Sequence, residues 1–224
     1  MAYYLQLHSE NSLEWEEGTD RMSSIAEVKS IVGRSEVKTE IIRKSIHMLV
    51  AMVPLMAALN VDVTIFILAG GTLFYTWAET QRVKGRNVAV VSLLTAAAAR
   101  QRDGDGIVFG PITLGIGAML ALMLYPQPAA AMAIYALAFG DGFSGLFGKL
   151  FGRIEIRYTG GKTIAGSLAC FGAVLAVAVG ILPTFQAAMT IAAAATMLEM
   201  LPSRDMDNII LPVGVGMLTW YLMI

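Results

Sequence analysis

From Ile46 onward the chain alternates long apolar runs with short polar breaks. Seven runs stand out, at about 46–60, 62–81, 107–125, 128–149, 163–182, 186–201 and 208–224. A membrane-crossing helix needs about 20 mostly apolar residues, within a range of about 17–25. The pattern predicts seven crossings in an all-α, polytopic transmembrane helical bundle. The first and sixth runs are short, as tilted, broken or re-entrant segments are. Residues 88–99 form one more apolar run, too short to span, which reads as an interfacial helix.

The pattern before Ile46 is different. The first 45 residues hold eight acids and six Lys/Arg, and no apolar core of the kind a secretory signal needs. Residues 1–41 read as a cytosolic polar segment. Within it Met22, Ile25, Val28, Ile31 and Val32 fall near helical spacing. They form either an amphipathic helix docked on the membrane face or on the body of the protein, or part of a poorly ordered tail.

Composition narrows the class. Hydrophobic residues make up 56% of the 224 residues and charged residues 15%, against about 25% charged in soluble domains. This excludes a disordered chain and argues against a soluble globule. A net charge of −1 gives no case for nucleic acid. The single cysteine, Cys170, excludes an internal disulfide or a Cys-based zinc site, and two histidines are too few for a His-rich metal centre.

The cations give an orientation. Of the 16 Lys/Arg, six precede Ile46, five lie between the second and third runs, four lie from Lys149 to Lys162, and the last is Arg204. With seven crossings all of them fall on one side. The positive-inside rule makes that side cytosolic, with the N-terminus in and the C-terminus out.

Ionisable residues in membrane segments point to function by default. Here His47, Glu79, Asp141, Ser167, Glu199, Asp207 and Asn208 fall near the cytosolic ends of six runs, and only Asp62 lies at the opposite face. Each alone reads as a helix cap. Together they predict a cytosol-facing site among helix ends.

Three stretches in this layer carry chemistry. The run Gly140–Arg153 contains Gly140, Gly142, Gly145, Gly148, Lys149 and Gly152 around Asp141. Its G-x-G-x-x-G spacing lies in a transmembrane helix, so it is no Rossmann fingerprint. Its glycines allow close helix packing, and they also let a polyphosphate with its Mg²⁺ approach the backbone beside a carboxylate. The second stretch, Gly160-Gly161-Lys162-Thr163-Ile164-Ala165-Gly166-Ser167, is not a Walker A motif, which would need glycine in place of Ile156. It still offers helix N-terminal N–H groups, a lysine and two hydroxyls to phosphate. The third, Arg204-Asp205-Met206-Asp207-Asn208, puts acids at a helix start. They suit the macrodipole, and with Asp141 they offer hard oxygen ligands to Mg²⁺. Arg43, Lys44 and His47 form a further group at the start of the first run.

In order and spacing these stretches resemble the polyprenol kinase family: dolichol kinase, phytol kinase and CTP-dependent diacylglycerol kinase. The pieces that match are Arg43-Lys44 with His47, Glu79 with Arg82, Gly140–Arg153, Lys162-Thr163 with Gly166-Ser167, and Asp207-Asn208 before Pro212, over residues 42–224. The Asp141 and Lys162 blocks also look like those of CDP-diacylglycerol synthases. Ala165 stands where many members carry Glu, and Met206 where members often have a second Asp.

The resemblance implies that residues 42–224 are a transmembrane catalytic domain that phosphorylates a lipid alcohol in the bilayer, with CTP as the favoured donor. Carried onto this chain, Asp141, Asp207 and Asn208 bind the metal. Lys162, Thr163, Ser167 and the loop N–H groups of Gly161 and Gly166 cradle phosphates, with Arg43, Lys44, Gly140, Gly142, Gly148, Lys149 and Arg153 contributing. His47, Glu79 or Asp141 accepts or orients the alcohol proton, and the residues do not choose among them. The alternatives are a cytidylyltransferase making a CDP-lipid and a small transporter. Against the transporter, the acids gather at one face rather than at midplane.

Overall fold

A computed structural model describes residues 39–86, Thr95 and 106–224. The expected amphipathic helix around Met22–Val32 and the expected interfacial helix at 88–99, Thr95 apart, lie outside the described residues. Thr39–Ile224 form one compact unit.

The fold is all-α. Seven helices among the described residues coincide with the seven apolar runs: α1 (Thr39–Leu59), α2 (Val61–Val83), α3 (Gly110–Leu124), α4 (Ala129–Phe151), α5 (Ile164–Ile181), α6 (Phe185–Glu199) and α7 (Asp207–Met223). Four of them, α1, α2, α4 and α5, are long and apolar enough to cross a membrane. The other three are shorter, with 15 residues in α3 and α6 and 17 in α7. The first run looked short because α1 extends back through Arg43 and Lys44, two cations that interrupt its apolar pattern but not its helix.

Local chemistry sets the boundaries. The Asn60 side chain accepts from Val63 N at 3.0 Å and starts α2. Thr163 Oγ1 accepts from Gly166 N at 3.2 Å and starts α5, and Thr184 does the same for α6. Each satisfies one of the donors a helix N-terminus leaves open. Between α4 and α5 the chain makes a small hairpin. Ile156 N donates to Lys162 O at 2.8 Å, and Glu155 pairs with Thr163. Gly160 and Gly161, with φ of 71° and 97°, make its turn. That backbone region is closed to most side chains, so these two glycines shape the loop that delivers Lys162.

α4 is the central helix. In its most apolar window 61% of residues are buried, against 11% in α2. One core cluster joins Met132 of α4 to Cys170 and Val174 of α5, Ile191 of α6, and Leu211 and Val215 of α7. A second joins Ile134 of α4 to Val53 and Ala57 of α1 and Ala121 of α3. Midway along α4 the turn widens to a π-helix over Ala136–Asp141, a feature that recurs at functional sites. It ends on Asp141.

Candidate functional site

Three residues of the polar layer expected from the sequence, Asp141, Glu199 and Asp207, line one cavity of about 700 Å³. Arg43 and Lys44 reach it from α1, Asp141 from α4, Lys162 from the hairpin, Glu199 from the end of α6 and Asp207 from the start of α7. These positions lie up to 164 residues apart in sequence, from 43 to 207. Helix packing and the hairpin before α5 bring them together.

Asp141 sits at its centre. Lys44 Nζ donates to Asp141 Oδ2 at 2.5 Å, and both side chains are buried. His47 Nδ1 lies 3.1 Å from the same oxygen. One turn before Lys44, Glu40 binds Arg43 at 2.6 Å. Across the cavity Lys162 Nζ donates to Glu199 Oε1, and Asp207 Oδ2 is 3.9 Å from the same ammonium. Burial works against the charge of Lys162, but the carboxylates of Glu199 and Asp141 outweigh it and hold the ammonium above its ordinary pKa. At the edge of the apolar run of α7, burial and the Asp141 carboxylate push the Asp207 carboxyl up to about 6.

The glycines bring helices together. A Cβ on Gly145 would strike the Lys44 side chain, and one on Gly166 would stand 2.7 Å from the Ser144 carbonyl oxygen and 3.4 Å from Gly148 Cα. Gly140 faces Val174 and Cys170 of α5, and Gly142 faces Met48 of α1. For Gly140, Gly142 and Gly166 the structure therefore gives a packing role, α4 against α1 and α5, where phosphate contact was expected. Gly148 shares the α4–α5 crossing and also lines the cavity, as do Lys149, Gly161 and Thr163.

Beside those three glycines, five expected site residues stand apart from the cavity lining, and one of them, His47, meets it only through Asp141. Glu79 is wholly buried and saturated: its two oxygens accept from Arg82, from Val108 N at 2.9 Å and from Thr95 at 3.2 Å. Arg82 also donates to Gly106 O at 2.7 Å. The pair clamps the end of α2 to the segment entering α3. Asn208 donates its amide to Gly110 O and Thr113 Oγ1, at 3.2 and 2.9 Å, and so clamps α7 to α3. Ser167 is buried with its Oγ unpartnered, and Arg153 is exposed beyond the cavity.

Conversely, Glu199 and Ser144 line the cavity without having been assigned a role there. Ser144 Oγ donates to Glu199 Oε1 at 2.6 Å. The signal available for Glu199 was an acid closing an otherwise uncharged helix at the depth of Asp141.

No group of three His, Cys, Asp or Glu side chains among the described residues converges to hold a metal. Mg²⁺ commonly takes one or two carboxylates and fills its shell with water and phosphate oxygens. Asp141 and Asp207 fit that mode, since their mutual repulsion is what a cation relieves. The Asn208 N–H groups bond to α3, so a metal would meet its Oδ1. No protein family, curated protein or solved structure matches the chain.

Proposed function

We propose that this protein is an integral membrane lipid-alcohol kinase. It transfers the γ-phosphate of a nucleoside triphosphate, with CTP favoured by the resemblance, to a polyprenol, phytol-like or diacylglycerol hydroxyl at the cytosolic leaflet. The observation that carries this reading is the convergence of Asp141, Lys44, Arg43, Lys162 and Asp207 on one cavity. Four of the five sequence stretches that resemble the kinase family supply them.

In this reading the alcohol oxygen attacks the γ-phosphorus and its bond to the β-phosphate bridging oxygen breaks. A lipid monophosphate and a nucleoside diphosphate result, and the alcohol proton passes to a base. Catalysis of such a transfer rests on positioning and charge neutralisation. Lys162, Lys44 and Arg43 neutralise phosphate oxygens. When bound with the nucleotide, Mg²⁺ supplies further neutralisation, held by Asp141 and Asp207. His47 and Asp141 remain as candidates to receive or orient the proton. Glu79, saturated by its clamp, takes no part.

Lateral entry of an apolar chain is supported by a ladder of rings on α4. Tyr135, Phe139, Phe143, Phe147 and Phe151 follow one another at centroid distances of 5.6 to 6.3 Å. The one-sided distribution of all 16 Lys/Arg supports a cytosolic cavity, a cytosolic N-terminus and seven crossings.

The test uses purified protein in detergent with Mg²⁺ and a panel of phytol, farnesol, long polyprenols, diacylglycerol and phosphatidate. CTP is supplied labelled at either the α- or the γ-phosphate, with γ-labelled ATP alongside. Label reaching lipid from the γ-position alone is the expected result. Label from the α-position alone makes the protein a cytidylyltransferase. A folded sample that labels no lipid from either position removes the kinase reading.

A further inference from the structure

Glu199 is wholly buried at the cavity wall. It is the only charged residue of α6. An unpaired buried carboxylate is strongly disfavoured, so its place there depends on its partners. Its Oε1 accepts both Lys162 Nζ and Ser144 Oγ, while Oε2 is buried without a hydrogen-bond partner. Three elements meet at this one oxygen: the hairpin before α5, the end of α6, and the turn of α4 that follows Asp141. A lysine stem is long and flexible, and fixing it unaided costs rotamer entropy. Lys162, with a quarter of its side chain exposed, has room to swing away.

We propose that Glu199 is the positioning residue of this cavity: with Ser144 it anchors the Lys162 ammonium to the helix that carries Asp141, so that an arriving polyphosphate meets a preset cation. Glu199 itself touches no substrate. That the anion is a polyphosphate rests on the kinase reading; the anchoring of Lys162 does not.

Two measurements on the full-length protein separate these points. The first is the rate of reductive methylation of Lys162, read by mass spectrometry without nucleotide, with exposed Lys84 as the internal reference. Glu199→Gln should raise the Lys162 rate several-fold and leave Lys84 unchanged. Ser144→Ala should raise it less, and Glu199→Asp should fall between wild type and Glu199→Gln. The second is calorimetric binding of Mg·CTP. Glu199→Gln should weaken binding about tenfold, the weight of one charge-assisted contact. In the Lys162→Ala background it should add nothing, because the residue acts only through Lys162.

Unchanged Lys162 labelling in Glu199→Gln overturns the anchor. Additive binding losses in the double variant overturn the positioning role. If Glu199→Gln does not fold, Ser144→Ala and Glu199→Asp decide by the same readouts. If the wild type binds no nucleoside triphosphate, the kinase reading falls and the labelling result alone decides the anchor.

Discussion

Asp141 holds a buried ammonium at 2.5 Å, so removing its charge does two things. Asp141→Asn should abolish turnover. It should also lower the melting temperature, because Lys44 is left charged, buried and unpaired, a loss of about 3–5 kcal/mol. Adding Lys44→Met removes the orphaned charge. The double variant should regain most of the stability and none of the activity, as differential scanning fluorimetry and the lipid-labelling assay will show. Activity retained in Asp141→Asn would remove Asp141 from the chemistry. Asp207 gives a pH-dependent counterpart. Its carboxyl is raised to about 6 from an ordinary 3.8, so the folded state favours the protonated form, and ionisation weakens the fold as pH rises through about 6. Asp207→Asn should therefore melt higher than wild type at pH 8 in the ligand-free protein while losing turnover. The difference should shrink as pH falls through about 6 and vanish only near 3, below both pKa values. An Asp207→Asn that melts lower at pH 8 would contradict this.

At the scale of elements, the α4–α5 crossing decides whether Asp141 and Lys162 face one cavity. Gly166 sits there, with the Ser144 carbonyl where a Cβ would go. A backbone atom yields only if a helix moves, so Gly166→Ala should cost about 1–3 kcal/mol and reduce turnover by widening the crossing. Gly172, two turns on in the same helix, has open space around its Cα. Gly172→Ala should be neutral or stabilising by up to about 1 kcal/mol, since alanine is the better helix former. Equal effects at the two positions, measured by thermal unfolding, would mean that the crossing is not tight. The Glu79 clamp makes the same point at the α2–α3 junction: Glu79→Gln should lower stability with little change in the KM for nucleotide.

For the molecule as a whole, the testable quantity is orientation. If the cavity faces the cytosol, a cysteine placed at Gln127 or Thr184 should react with an impermeant maleimide in intact cells. One placed at Arg153 or Ser203 should react only after permeabilisation. Cys170 is buried and should stay silent in both. Labelling at Arg153 from outside would invert the topology and place the site on the wrong side for a cytosolic nucleotide. The three shorter helices matter here. At 1.5 Å per residue, α3 and α6 reach about 22 Å, short of a hydrocarbon core of about 30 Å. For either to cross, local thinning or interfacial flanks would have to make up the difference.

The apolar periodicity of this chain was enough to determined seven helices, because an element that must bury or shed its polar backbone in lipid needs an uninterrupted apolar run. It also marked the depth of the polar layer, since Glu199 and Asp207 end and begin such runs and Asp141 interrupts one eight residues before its end. What it left open was direction around each helix axis. Glu79, Asn208 and Asp141 share a depth, yet only Asp141 turns into the cavity; the other two turn toward α3 and clamp it. A rotation of about 100° per residue moves a side chain from one neighbour to the next, and which neighbour stands there is set by packing between helices far apart in the chain. The glycines show the same limit: sequence spacing fits both a phosphate cradle and a helix crossing, and only the positions of α1 and α5 against α4 assign Gly142 and Gly166 to the crossing.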